Sequence, residues 1–152
     1  MAEVHIDQSH CNFHLREALL ADGWTLLFRD SPSHSRGGPG TQGSILRAVE
    51  EQGWPIPDLV LVKDGIGLLI EIDAAISAAM PSLSRYRALE KELRDTLQRV
   101  ADKPIREVRL GFCRSTKTLS PADYFDSHAE APVDLLIAFV VPGIPVFSRR
   151  PG

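Results

Sequence analysis

An α/β (α+β) fold, in which a mixed central sheet is flanked by helices on both faces, is what this 152-residue sequence predicts. Three observations lead there. The run from Pro57 to Asp73 holds two Val/Leu/Ile-rich stretches around Asp64-Gly65, the strongest short-range signal for a β-hairpin, because both turn residues tolerate positive φ. Both faces of that hairpin are apolar, as in a sheet covered on both sides. Stretches of helical period precede and follow it, and two further apolar strands come later, beginning at Glu107 and Val133.

The elements follow in order. Residues from about Asn12 to Ala21 read as a helix with Phe13, Leu15, Leu19 and Leu20 as its apolar surface, ended by Asp22-Gly23. Trp24 to Phe28 is a short strand. Residues 30–44 are rich in Gly, Ser and Pro and exceed the usual connection length, so they read as a flexible loop. Its glycines are not followed by Gly-Lys-Ser/Thr, which excludes a phosphate-cradling P-loop. Ser44 caps a helix over Ile45 to Gln52, and Gly53-Trp54-Pro55 stops it. Beyond the hairpin, a small-residue connection leads to the longest predicted helix, Ser82 to about Ala101. Its buried stripe is Leu83, Tyr86, Leu89, Leu93, Leu97 and Val100. Val108, Leu110 and Phe112 alternate with Arg109, Gly111 and Cys113, so Glu107 to Arg114 is a strand. Ser120-Pro121 opens a short helix to about His128, Val133 to Val141 is a strand apolar on both sides, and Arg149-Arg150 is a loose basic tail. No repeat is visible, and residues 1–152 read as a single domain.

Composition is that of an ordinary globular chain, 43% hydrophobic and 24% charged. With a net charge of -3, the overall balance gives no sign of nucleic-acid binding, so any such role must rest on a local basic surface and on metal bridging. Cys11 and Cys113 form no CxxC pattern and read as reduced thiols. The first residues show no basic-then-apolar signal, and the longest apolar run, Leu135 to Val141, is too short to span a bilayer. A cytoplasmic protein with no membrane partner is the expectation.

The hairpin's register follows from its turn. With Asp64-Gly65 as the loop, Lys63 faces Ile66, Val62 faces Gly67, Leu61 faces Leu68, Val60 faces Leu69, Leu59 faces Ile70, and Asp58 faces Glu71. Directly opposed side chains have Cβ atoms about 5 Å apart, and Asp73 points the same way as Glu71 about 6.6 Å further along. Three acids thus share one patch with Val60, Val62 and Leu69, while Leu59, Leu61, Ile66, Leu68, Ile70 and Ile72 fill the other face. Opposed like charges destabilise a sheet, and a bound cation removes the conflict. Mg²⁺ suits such a patch, since it takes one or two carboxylates and keeps waters and phosphate oxygens.

Pro57-Asp58, twelve residues, then Glu71-Ile72-Asp73 resembles the PD-(D/E)xK nuclease superfamily, which includes many restriction endonucleases and junction resolvases. The resemblance implies a restriction endonuclease-like core in which Asp58 and Glu71, with Asp73 and the Ile72 carbonyl, hold Mg²⁺. It implies a Mg²⁺-dependent endonuclease hydrolysing double-stranded DNA, a restriction type acting as a homodimer, because duplex symmetry favours a two-fold pair. The family's third motif residue is usually Lys, and here it is Asp73. Some restriction enzymes of the superfamily carry an acid or Gln there. Lys91 is the candidate displaced catalytic lysine, while Lys63 is excluded because the register puts it at the turn end on the opposite face.

Other donors sit around this core. Arg36, Thr41 and Gln42 in the Gly-rich loop, with His34 and Ser35, are candidate contacts to phosphates or base edges. Arg87, Lys91, Arg94 and Gln98 lie along a basic stripe fit for a phosphodiester track, with Arg85 and Arg99 near it. Glu90, Glu92 and Asp95 interleave, so an ordinary charged outer face is the competing account. Glu17 is either a solvated surface residue or an extra first-helix acid. His10 and His14, one turn apart beside Cys11, match two ligands of a metal site, with nothing further along to complete the set. The alternative to an enzyme is a catalytically inactive nuclease-fold module binding nucleic acid or a protein partner, which the Lys-to-Asp departure favours.

Overall fold

The structure, a computed structural model, describes residues 4–30, 40–141 and 143–151, with backbone alone for residues 40–44. Its described elements are α1 (Gln8–Ala21), β1 (Thr25–Arg29), α2 (Gly40–Gln52), β2 (Leu59–Lys63), β3 (Ile66–Asp73), α3 (Ile76–Ala88), α4 (Glu90–Ala101), β4 (Glu107–Lys117), α5 (Pro121–Ser127), β5 (Leu135–Phe139) and β6 (Pro145–Phe147). The six strands form one mixed sheet in sequence order. β1, β2 and β3 are antiparallel neighbours, β3, β4 and β5 are parallel, and β6 returns antiparallel to β5. The parallel β3-to-β4 step needs a crossover, and α3 and α4 supply it.

The hairpin pairs as the turn dictates: Lys63 with Ile66, Val62 with Gly67, Leu61 with Leu68, Val60 with Leu69 and Leu59 with Ile70. Asp64 and Gly65 both take positive φ, 50° and 80°, the conformation of a two-residue turn that matches strand twist. Register then sorts the side chains into two cores. Val60, Val62 and Leu69 join Val108, Leu110, Phe112, Leu136 and Ala138 beneath residues of α2, α3, α4 and α5. Leu59, Leu61, Ile66, Leu68, Ile70 and Ile72 join Cys113, Leu135, Ile137 and Phe139 beneath α1. The result is a three-layer molecule. Burying each of these aliphatic side chains contributes about 1.5–3 kcal/mol, so the register is strongly specified.

Several boundaries differ from the sequence reading, each for a local reason. α1 begins at Gln8, four residues early, because the Asp7 carboxylate accepts from the Ser9 N–H and caps the helix there. Its buried side is Cys11, Asn12, Leu15 and Leu19, whereas Phe13 and Leu20 are exposed. α2 starts at Gly40, so the predicted 30–44 loop is helical from that residue and Ser44 is not its cap. The single long helix is two: α3 starts at Ile76, inside the predicted connection, and carries Pro81 within it, and the chain breaks at Leu89. The stripe survives the break, with Leu83, Tyr86, Leu93 and Leu97 buried and Leu89 and Val100 partly so. β6 was not foreseen, and the C-terminal tail is tied down where Arg109 Nη1 donates to the Pro151 carbonyl at 3.1 Å. Among the described residues no helix is long and apolar enough to cross a membrane.

Candidate functional site

At the end of the hairpin away from its turn, Asp58 immediately precedes β2, and Glu71 and Asp73 lie in the last three residues of β3. The ladder is regular to Leu59, after which the Asp58 N–H also bonds to the Ile70 carbonyl, at 3.1 Å. Asp58 then turns its carboxylate along β3, where Oδ2 accepts from the Ile72 N–H at 2.7 Å. Its own carbonyl accepts from the Asp30 N–H at 3.0 Å and from Asn12 Nδ2 at 3.2 Å. Three elements therefore fix one acid.

Glu71 lies on the sheet face that α3 covers. Tyr86, buried on α3, donates its hydroxyl to Glu71 Oε1 at 2.7 Å. The Asp58 and Glu71 carboxyl groups lie close enough to act on each other's titration, and either one can donate to the other only when protonated. Burial is the main reason both acids titrate high, with the neighbouring charges adding to it. Glu71 is pushed up to about 8 from an ordinary 4.5, held back partly by the Tyr86 hydrogen bond. Asp58 is raised by burial too, against the Ile72 N–H that favours its charged form. The Tyr86 hydroxyl is raised by burial and by the Glu71 charge, and stays a neutral donor. Asp73 is on the same face, its charge felt by both acids, with Oδ1 accepting from the Ala74 N–H at 2.7 Å.

The donor set fits a small hard cation: two paired carboxyl groups, each with one oxygen held by the protein. Mg²⁺ takes one or two carboxylates and completes its shell with water and phosphate oxygens. Among the described residues no group of three or more His, Cys, Asp or Glu is gathered tightly enough to hold a metal by itself. Asp73 is thus a neighbour of the pair at this geometry, within electrostatic reach.

The other expected residues lie elsewhere. Lys91 is exposed on α4 and pairs with Asp95 one turn on, at 3.1 Å. Arg87 is held by Asp134 at 3.1 Å and by Glu90 at 3.6 Å, and Arg85 is exposed. Arg36 lies outside the described residues, as do the side chains of Thr41 and Gln42. Lys63 sits at the turn end, donating to the Asp22 carbonyl at 2.6 Å. The His10 and His14 ring centroids lie 4.3 Å apart with the rings tilted by 58°, while Cys11 is buried against Cys113, each a free thiol.

Tyr86, Asp30 and Asn12 were missed as site residues. Tyr86 reads from sequence as one member of an apolar stripe, and its hydroxyl is the only signal of a second task, since a buried Tyr O–H needs a partner. Asp30 reaches the site through the β1–β2 pairing, which places Arg29 opposite Leu59. Comparison with known proteins adds nothing further: no family model matches the chain, and no curated protein is significantly similar to it.

Proposed function

We propose that the protein is a Mg²⁺-dependent endonuclease that hydrolyses DNA phosphodiester bonds, of the restriction type and working as a homodimer on double-stranded DNA. The observation that carries the reading is the Asp58–Glu71 pair. Two half-buried acids beside each other at a hairpin end, both titrating high, form an arrangement that costs stability unless a cation or a shared proton occupies it. The Pro57-Asp58 and Glu71-Ile72-Asp73 spacing of the PD-(D/E)xK superfamily falls on the same residues.

In this reading Asp58 and Glu71 hold Mg²⁺, helped by the Ile72 carbonyl. Bound there, the ion supplies a lowered pKa for an attacking water and charge neutralisation at the phosphoryl oxygens. The Ile72 N–H and the Tyr86 hydroxyl hold one oxygen of each acid and aim the other. Asp73 accepts the proton of the attacking water. A protein of this size reaches one strand per subunit, so cutting a duplex calls for two copies about a two-fold axis.

A second reading, a nuclease-fold module that binds nucleic acid or a protein partner without cleaving, is favoured by one observation. Among the described residues no lysine pairs with Asp58 or Glu71, and Asp73 stands where the family's lysine usually does. Supercoiled plasmid separates the two readings. The enzyme nicks or linearises it only with Mg²⁺, and Asp58→Ala lowers the rate by about 10²-fold or more, the order one preorganised electrostatic contact is worth. Cleavage that ignores the metal or the substitution refutes the assigned site, and binding without cleavage supports the module.

A further inference from the structure

His10 and His14 stand one helical turn apart on α1, the (i, i+4) spacing that sets two side chains side by side on one face. Both are half-buried, and their ring centroids are only 4.3 Å apart. Among the described residues neither imidazole forms a hydrogen bond or an ion pair, and His10 Nε2 is cut off from solvent as well. A buried nitrogen without a partner carries its full desolvation cost. Helix α1 thus holds two adjacent nitrogen donors that no protein group answers.

The neighbouring groups leave room for a ligand. Asp7, nearly one turn before His10, commits Oδ1 to the Ser9 N–H, and Glu17, nearly one turn after His14, is exposed. Phe13 meets the His14 ring edge-on, centroids 5.0 Å apart. Gly143, between β5 and β6, faces the edge of His14 that carries its nitrogens: a Cβ there would stand 3.4 Å from Cε1, 3.5 Å from Nδ1 and 3.7 Å from Nε2. Glycine keeps the space beside that edge open.

Imidazole nitrogens suit zinc and its neighbours in the first transition row, whereas Mg²⁺ prefers carboxylate, carbonyl and water oxygens. Two imidazoles bound at about 2.0–2.1 Å to one tetrahedral ion have ring centroids about 5 Å apart. The observed 4.3 Å is within about 1 Å of that, a change that side-chain rotation supplies.

We propose that His10 and His14 bind a zinc-class divalent cation, one per chain, with water completing its shell. The ion clamps two successive turns of α1, the helix whose Asn12 Nδ2 donates to the Asp58 carbonyl. The site goes beyond the nuclease reading and shares no residue with the acid pair.

The test is calorimetric titration of Zn²⁺ into the whole protein carrying Asp58→Ala and Glu71→Ala, which together remove the acid pair as a competing site. One Zn²⁺ binds per chain, and millimolar Mg²⁺ does not displace it. His10→Gln and His14→Gln, each added to that background, weaken binding at least tenfold. Nitrogen-15 NMR of the wild-type imidazoles reads the same site without any substitution: Zn²⁺ moves a ring nitrogen of both His10 and His14 and leaves those of His5 and His128 in place. Absence of Zn²⁺ binding, binding that survives the loss of both histidines, or shifts that spare either His10 or His14 overturns the proposal. A protein that binds Zn²⁺ through this pair and never cleaves DNA would keep the metal site and discard the nuclease reading.

Discussion

Glu71 shows how one half-buried carboxyl couples stability to pH. Its folded-state value of about 8 lies above the ordinary 4.5, so between those limits the folded protein binds a proton that the unfolded chain has released. Stability is therefore fully present below about pH 4.5 and declines as pH rises towards 8, at up to about 1.4 kcal/mol per unit. Glu71→Gln removes the titration while keeping an acceptor for Tyr86. Thermal unfolding without metal should show the variant more stable than wild type at pH 8.5 and close to it at pH 4.5. Equal differences at both pH values would mean that Glu71 does not titrate in that window. Tyr86→Phe acts in the opposite sense, because the hydroxyl stabilises the Glu71 charge. Carboxyl NMR of that variant should find the Glu71 pKa higher still, and an unchanged value would exclude the hydrogen bond.

At the scale of elements, the hairpin was legible because short-range chemistry decides it. Asp64-Gly65 fixes the turn, the turn fixes the register, and the register sends each side chain to its observed face. Gly65 at φ 80° holds the turn, so Gly65→Ala should cost about 1–2 kcal/mol, measured as a shift in the denaturant midpoint with unchanged slope. A neutral substitution would show a turn that tolerates another geometry. The α3–α4 break was harder to read, although its signal is present: Arg85 and Arg87 close one helix, and Glu90 and Glu92 open the next. Each set matches its helix dipole. An uninterrupted apolar stripe hid that sign, since packing continues across Leu89. Pro81 lies exposed inside α3, a residue type that from sequence alone argues against a helix interior. The start of α1 was missed because its first turn is polar, and only the Asp7 cap marks it.

Over the whole molecule, the sheet brings together what sequence distance separates. Asp58 and Glu71 were visible from the hairpin alone. Tyr86, Asp30 and Asn12 reach the pair through the α3 crossover, the β1–β2 pairing and the packing of α1, none of which local spacing encodes. Arg114 faces Asp73 only because β3 and β4 run parallel in that register. Lys91 shows the converse, a residue of the right chemistry that the fold carries to an exposed pair with Asp95. The account turns on whether Asp58 and Glu71 together hold a divalent ion. Titration calorimetry of Mg²⁺ at pH 7, repeated in buffers of different ionisation enthalpy, measures that directly. Mg²⁺ should bind with release of a proton, because Glu71 is protonated below about 8, and both binding and release should vanish in Asp58→Ala and Glu71→Ala. Mg²⁺ binding that survives both substitutions, or no binding by the wild type, would contradict it.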